Sequence, residues 1–145
     1  MFSLKNLENN LVRDVLMISF NELKPHEKVV SKRKEALKNY ILSMDPEIII
    51  SSIIICSETK MIIDGHHRYF ALIELGFLEI PVTMVNYSSD KIKAYYDDRI
   101  EKEAILNASL NGILLPPKSS KHIILDESNN TWYPLILLSS LFFLK

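Results

Sequence analysis

The chain has 145 residues, with 17 basic and 18 acidic side chains, so its formal net charge of −1 gives no overall electrostatic attraction to nucleic acid. Apolar residues make up 48% of the sequence, which is ordinary for a globular protein and argues against intrinsic disorder. The single cysteine, Cys56, excludes an intramolecular disulfide framework and a cysteine-based zinc site.

Neither end of the chain predicts a targeting or membrane segment. The first ten residues lack the apolar run of a signal peptide. The apolar stretch at 135–144 is well short of the roughly 20 residues that a bilayer-spanning helix needs. We therefore expect a cytoplasmic protein with a single domain over residues 1–145. Its core is expected at about 18–125, followed by an apolar C-terminal tail at 131–145.

The first half of the chain predicts a helix followed by strands. Residues 1–20 are compatible with a helix or a strand. Ser31 is a plausible N-cap for a helix over 32–44, with Glu35 supporting it, and Pro46 ends that helix. The β-branched run at 48–56 is typical of one buried strand.

The middle of the chain predicts a strand–helix–strand unit. A short strand at 61–63 ends at an Asp-Gly turn, and a helix then begins at His66 or His67 and stops at Gly76. Residues 80–85 form the next predicted strand.

The last third of the chain predicts one more helix and then strands. Ser88 or Ser89 would cap a helix running from about 90 to 110, before Gly112. A polar loop and a short apolar strand follow, and the tail is compatible with a strand pair or a helix on the core. Together the elements predict an α+β fold, a small mixed sheet flanked by helices.

The four histidines lie in three short polar stretches, at 25–27, 64–68 and 116–122. Scattered structural histidines would not be expected to sort in this way. We therefore expect one polar site assembled from three parts of the chain.

The stretch Asp64, Gly65, His66, His67 and Arg68 joins a predicted strand to a helix N-terminus. Free backbone N–H groups and the helix dipole favour an anion at this position, and a guanidinium can bind two phosphate oxygens. The structural alternative is that Arg68 pairs with Asp64 while the histidines cap the helix. The adjacent histidines point in different directions, so they are poor joint ligands for a metal.

The other two stretches carry complementary chemistry. Residues 118–122 contain two lysines, two hydroxyls and an imidazole, which suit a phosphate, although such a segment is also typical of a solvated loop. Glu27 is a candidate general base if it faces a bound phosphate across a cleft; otherwise it is a surface or capping residue.

The order of these motifs resembles the ParB/sulfiredoxin-like fold family over about residues 18–125. Within that family it is most similar to the free L-serine kinases, the archaeal ADP-dependent and the bacterial siderophore-pathway enzymes. The resemblance implies phosphoryl transfer from ATP or ADP, with Mg²⁺, to the hydroxyl of free L-serine, giving O-phosphoserine. Nucleotide and serine are the expected partners, with no membrane and no nucleic acid.

The resemblance also implies roles for particular residues. Glu27, Asp64 and His67 would be catalytic, with Glu27 as the base. The nucleotide would bring most of the Mg²⁺ coordination, and Asp64 would help to orient the ion. The nucleotide phosphates would be bound by two groups of residues: Gly65, His66, His67 and Arg68, then Lys118, Ser119, Ser120 and His122.

Two other functions remain open from the sequence. One is a DNA-binding protein or nuclease of the ParB-like type, and the other is a nucleotide-binding module without catalysis. Sulfinic-acid reduction is disfavoured, because sulfiredoxins have a reactive cysteine at the place of His66 and Cys56 lies elsewhere. The choice of ATP or ADP and the oligomeric state are not predicted.

Overall fold

The computed structural model describes residues 7, 10–95, 102–117 and 121–144, and it contains nine strands and three α-helices within those ranges. The N-terminal half is made of β1 (Val12–Ser19), α1 (Ser31–Leu42), β2 (Ile48–Ser51), β3 (Ile53–Cys56), β4 (Ile62–Asp64) and α2 (His66–Glu74). The C-terminal half is made of β5 (Glu79–Val85), β6 (Ile92–Tyr95), α3 (Lys102–Leu110), β7 (Lys121–Asp126), β8 (Thr131–Pro134) and β9 (Leu141–Leu144). The mixed α+β fold predicted from the sequence is confirmed.

The central sheet has four strands in the order β1-β5-β3-β4. β5 runs antiparallel to β1 and parallel to β3, and β4 returns antiparallel to β3, so the sheet is mixed. The connection from β4 to β5, on the other side of β3, passes through α2. This order brings the end of β4 and the start of α2 to the edge of the sheet.

Both faces of β3 are buried, which explains its continuous apolar sequence. Ile53 and Ile55 face a core cluster that includes Ile41 and Leu72 from α1 and α2. Ile54 faces the opposite cluster, which also receives residues from α3, β7 and the tail. The two layers on either side of the sheet hold β4, and therefore the β4–α2 turn, in a fixed position.

The start and end of α2 agree with the sequence prediction. The helix begins at His66, and Gly76 beyond its C-terminus has a φ of +93°. α1 differs by one position, because Ser31 is its first residue and Val30 is the N-cap, with no side-chain cap bond. The predicted capping role of Ser31 is therefore wrong.

The single strand predicted at 48–56 is also wrong, because the run is divided at Ser52. β2 pairs with β9 in a separate two-stranded sheet, whereas β3 joins the central sheet. The buried Ser52 is hydrogen-bonded to the tail, since its N–H donates to the carbonyl of Ser140 at 2.8 Å. The local sequence pattern does not show this distant partner.

The helix predicted at about 90–110 is wrong in its first part. Residues 92–95 form β6, which pairs antiparallel with β7 and sets Ile92 opposite Ile124. Both of these isoleucines are buried, so a tertiary pairing overrides the local helix signal. The second part of the prediction is confirmed by α3, and 96–101 lie outside the described residues.

The apolar tail packs on the core as strands and a short 3-10 turn. β8 extends the sheet of β6 and β7, while Leu135 and Leu138 in the turn are buried. In the described part of the chain, no helix has the length and apolar character that crossing a bilayer requires.

Candidate functional site

A cavity of about 320 Å³ lies at the junction of β4 and α2 and contains residues from all three predicted polar stretches. It is lined by Glu27, Ile63, Asp64, Gly65, His66, His67, Arg68 and Lys121. The expectation that these stretches meet is therefore supported by the fold. Lys118, Ser119 and Ser120 lie outside the described residues, so their predicted phosphate contacts stay predictions.

The β4–α2 turn requires glycine at position 65. Gly65 is the N-cap of α2 and has a φ of +108°, in the left-handed region that other residues rarely adopt. A Cβ at this position would lie 2.8 Å from Nη2 of Arg68 and 3.2 Å from Cγ1 of Ile53. The absent side chain thus leaves room for Arg68 beneath the turn.

Arg68 is turned partly toward the protein interior. Its Nη2 donates to the carbonyl oxygen of Ser52 at 3.1 Å, and its buried Nε has no hydrogen-bond partner among the described residues. Burial raises the pKa of Asp64, and the nearby Arg68 guanidinium partly offsets this rise. The side chain therefore places a positive charge at the cavity while one of its nitrogens is anchored to Ser52, between β2 and β3.

His66 and His67 both contact the segment that carries Glu27. Nε2 of His66 accepts the backbone N–H of His26 at 3.1 Å, and Nε2 of His67 accepts the backbone N–H of Val30 at 3.0 Å. Neither contact was expected from the sequence, because the donors lie 40 and 37 positions away.

Glu27 lies in an extended segment along the wall of the cavity. The residue is 7% exposed, and its Oε2 lies 3.9 Å from Nε2 of His26. The backbone on either side is held by Leu115, whose N–H donates to the carbonyl of His26 and whose carbonyl accepts the N–H of Lys28, both at 2.7 Å. A buried carboxylate is thus fixed in position opposite the N-terminus of α2.

Three buried histidines pack together at the cavity, and one of them, His66, lines it. The ring centroid of His26 lies 4.6 Å from that of His66 and 6.3 Å from that of His122. Burial lowers the pKa of His26 to about 4 and that of His122 to about 3, and it lowers the pKa of His66 well below the ordinary value. The three rings are therefore neutral at pH 7.

His122 differs from its predicted environment. It lies on β7 rather than in an open loop, and its Nε2 forms a hydrogen bond of 2.8 Å with the hydroxyl of Tyr87. Because the ring is neutral at pH 7, it would not attract a phosphate by charge. Its predicted contact with the nucleotide stays a prediction.

Lys121 is a site residue outside the predicted set of phosphate ligands. It is exposed at the start of β7 and lines the cavity together with Glu27 and Asp64. It also lines an adjoining, more apolar cavity of about 330 Å³, which reaches Leu135 and Ile136 in the tail. The sequence signal for Lys121 was its position directly after Ser120, between the polar loop and the apolar strand. The first residue of a strand lies next to the loop that precedes it.

The donors of the cavity fit a Mg²⁺ ion that takes few of its ligands from the protein. The described residues contain no group of three or more metal-ligating side chains positioned to hold an ion. The cavity does contain two carboxylates, those of Glu27 and Asp64. Mg²⁺ is commonly bound by one or two carboxylates together with phosphate oxygens and water, so this donor set suits it.

Comparison with curated proteins gives matches over little more than half of the chain. A ParB-like protein from Sulfolobus acidocaldarius is 36% identical over 57% of this chain and 40% of its own length. An ATP-dependent L-serine kinase from Staphylothermus marinus is 32% identical over 54% of this chain and 32% of its own. The ADP-dependent L-serine kinase SerK from Thermococcus kodakarensis is 32% identical over 57% of this chain and 35% of its own. The chain thus spans well under half the length of these curated relatives.

Comparison with solved structures also gives a free serine kinase among the matches. A free serine kinase in complex with AMP is 28% identical, with a TM-score of 0.51 over 61% of this chain and 39% of that one. A C-terminally truncated SbnI from Staphylococcus aureus has a TM-score of 0.62 over 90% of this chain and 91% of its own, and its 15% identity shows the fold alone. No family model matches the chain.

The fold and the curated matches together confirm the resemblance to the ParB/sulfiredoxin-like proteins. Among the proteins that it matches, the chain is also similar to the free L-serine kinases.

Proposed function

We propose that the chain is a small-molecule kinase that transfers a phosphoryl group from ATP or ADP to the hydroxyl of free L-serine. The observation that carries the proposal is the cavity in which the buried carboxylate of Glu27 faces the N-terminus of α2. The similarity to ATP-dependent and ADP-dependent L-serine kinases supports the same chemistry.

Phosphoryl transfer depends mainly on positioning and on neutralising charge, which the cavity supplies. The free N–H groups at the start of α2 would bind phosphate oxygens, and the helix dipole would favour their charge. Lys121 and Arg68 add positive charge on the same cavity. When bound, Mg²⁺ would be held by phosphate oxygens and Asp64, and would neutralise charge on the transferred group.

Glu27 is proposed as the general base. Its carboxylate would accept the proton of the serine hydroxyl as that oxygen forms a bond to the terminal phosphorus of the donor. The bond from that phosphorus to the bridging oxygen then breaks, and ADP or AMP leaves. The two contacts with Leu115 hold the backbone on either side of Glu27, so the base is pre-positioned.

Replacing Glu27 by glutamine tests the proposal, because glutamine keeps the size and polarity but is not basic. We expect Glu27→Gln to bind nucleotide and to phosphorylate serine at least about 100-fold more slowly than the wild type. The matched control is Glu22→Gln, an exposed glutamate on the same stretch, which should keep wild-type turnover. Full turnover in Glu27→Gln would show that another group is the base.

A second candidate function is nucleic-acid binding, which the 36% identity to a ParB-like protein favours. Fluorescence anisotropy with a labelled DNA duplex across a salt series separates the two candidates. A nucleic-acid protein would bind with an affinity that falls steeply as salt rises, because bound phosphates release counterions. A kinase with a net charge of −1 would bind the duplex weakly at every salt concentration.

A further inference from the structure

We propose that His66 and His67 are positioning residues that hold the segment of residues 26–30, and with it Glu27, against α2. The contacts of His66 and His67 with this segment are here called the clamp. The clamp does not depend on what the protein does, whereas its effect on turnover rests on the proposed function of Glu27. This role differs from direct binding of phosphate or proton transfer by the two imidazoles.

Hydrogen bonds hold every second backbone N–H group of the segment. The N–H of His26 donates to Nε2 of His66, that of Lys28 to the carbonyl of Leu115, and that of Val30 to Nε2 of His67. This alternation is the pattern of an extended strand, in which successive N–H groups point to opposite sides. Glu27 lies between the first two of these anchors, so its backbone has little freedom to shift.

Adjacent histidines on a helix suit this task. Their side chains diverge, which makes them poor partners for one small ion but allows them to reach two separate points. The two donors are four residues apart, or about 13 Å along an extended chain. One turn at the start of α2 therefore fixes both ends of the segment that carries the carboxylate.

The contacts also define which nitrogen carries the proton when the two rings are neutral. A ring nitrogen that accepts a backbone N–H carries no hydrogen, so a neutral His66 or His67 has its proton on Nδ1. A doubly protonated ring would present an N–H to the backbone N–H and lose the contact. An imidazole whose Nε2 is occupied in this way cannot donate from that atom to a phosphate.

Amide hydrogen exchange measured by NMR on the protein without substrate tests the clamp. His67 is the better target, because it is half-buried whereas His66 is buried in the histidine cluster. In His67→Ala we expect the Val30 amide to exchange about 10-fold faster, while the Lys28 amide, held by Leu115, changes less. In His67→Gln the side-chain oxygen takes the place of Nε2, so protection of Val30 should return. Lys32→Ala, an exposed change near the same amide, is the control.

Unchanged protection of Val30 in His67→Ala would overturn the proposal. So would a ¹⁵N spectrum of the imidazoles showing the neutral His66 and His67 rings protonated on Nε2. A titration of His67→Ala with ADP distinguishes the clamp from phosphate binding by His67. The clamp predicts an affinity for ADP within about threefold of the wild-type affinity. Loss of a charge-assisted contact with a phosphate would lower the affinity by more than that.

The clamp and the kinase proposal fail separately. If the wild type shows no serine-dependent turnover but His67→Ala still exposes the Val30 amide, the clamp stands and the kinase assignment fails. If the wild type is a serine kinase, His67→Ala should lower kcat more than nucleotide affinity, and His67→Gln should recover most of it.

Discussion

At the scale of single residues, both the backbone conformation at position 65 and the packing of Arg68 against it require a glycine. Gly65→Ala should lower the free energy of unfolding by roughly 1–2 kcal/mol from the left-handed backbone alone. A further loss should come from Arg68, because the new Cβ would lie 2.8 Å from its Nη2. Urea denaturation measures both effects together.

Gly76 provides a matched control for this prediction. It also has a positive φ, +93°, but a Cβ there would have no atom within 4 Å. Gly76→Ala should therefore show the backbone cost without the contact with Arg68. Equal losses in the two variants would contradict a role for Gly65 in making room for the guanidinium.

The residues that line the cavity were largely predictable, whereas the partners of their atoms were not. Glu27, Asp64 and residues 65–68 stand in short polar stretches that the sequence alone marks as one site. The contacts of His67 with Val30 and of Arg68 with Ser52 join distant parts of the chain. A local motif cannot indicate them, because they depend on how α1, α2 and β3 pack.

At the scale of elements, Ser52 links the central sheet to the tail. Its Oγ forms a 2.7 Å hydrogen bond with Oγ1 of the buried Thr83 and accepts the N–H of Ser140 at 2.9 Å. Its carbonyl accepts the hydroxyl of Ser139 as well as Nη2 of Arg68. This buried polar network explains why the apolar run is divided into β2 and β3.

Ser52→Ala should destabilise the protein, because it leaves the buried hydroxyl of Thr83 and the half-buried N–H of Ser140 without their partner. We expect the free energy of unfolding to fall by about 1–3 kcal/mol. Ser88→Ala, which removes an exposed bond to Asn86, should change it by less than about 0.5 kcal/mol. Thermal unfolding of both variants gives the comparison, and a Ser52→Ala protein as stable as the wild type would contradict the role of the network.

Elements whose patterning is local were predicted well, and those set by distant pairing were not. α2 lies between an Asp-Gly turn and Gly76, so its ends are marked in the sequence. β6 is defined instead by its pairing with β7 some thirty positions later, and the sequence alone favoured a helix there. The tail was left open between strands and a helix for the same reason, since β9 pairs with β2 in the first half of the chain.

At the scale of the whole molecule, the buried neutral histidines make stability depend on pH. The pKa of His26 is lowered to about 4 and that of His122 to about 3, against 6.5 for an unperturbed histidine. Between 6.5 and about 4 the unfolded chain therefore binds protons that the folded protein does not. The free energy of unfolding should fall as pH falls through this window, by about 1.4 kcal/mol per pH unit for each such histidine. Asp64, whose pKa is raised by burial, acts in the opposite direction between the ordinary pKa of 3.8 and its raised pKa.

His122→Gln isolates one of these histidines, because glutamine can keep a hydrogen bond with the hydroxyl of Tyr87 but does not titrate. Urea denaturation at several pH values should show a shallower dependence than in the wild type, by about 1.4 kcal/mol per pH unit. Identical slopes in the two proteins would contradict a neutral, buried His122 in the folded state.

Phosphorus NMR of the wild-type protein with L-serine, Mg²⁺ and either ATP or ADP tests the kinase assignment most directly. The cavity around Glu27 and the N-terminus of α2 predicts that an O-phosphoserine signal grows as the terminal phosphoryl signal of one donor decays by the same amount. The nucleotide that supports this reaction identifies the donor. Nucleotide binding without phosphoserine from either donor would contradict the assignment and favour a nucleotide-binding module without catalysis.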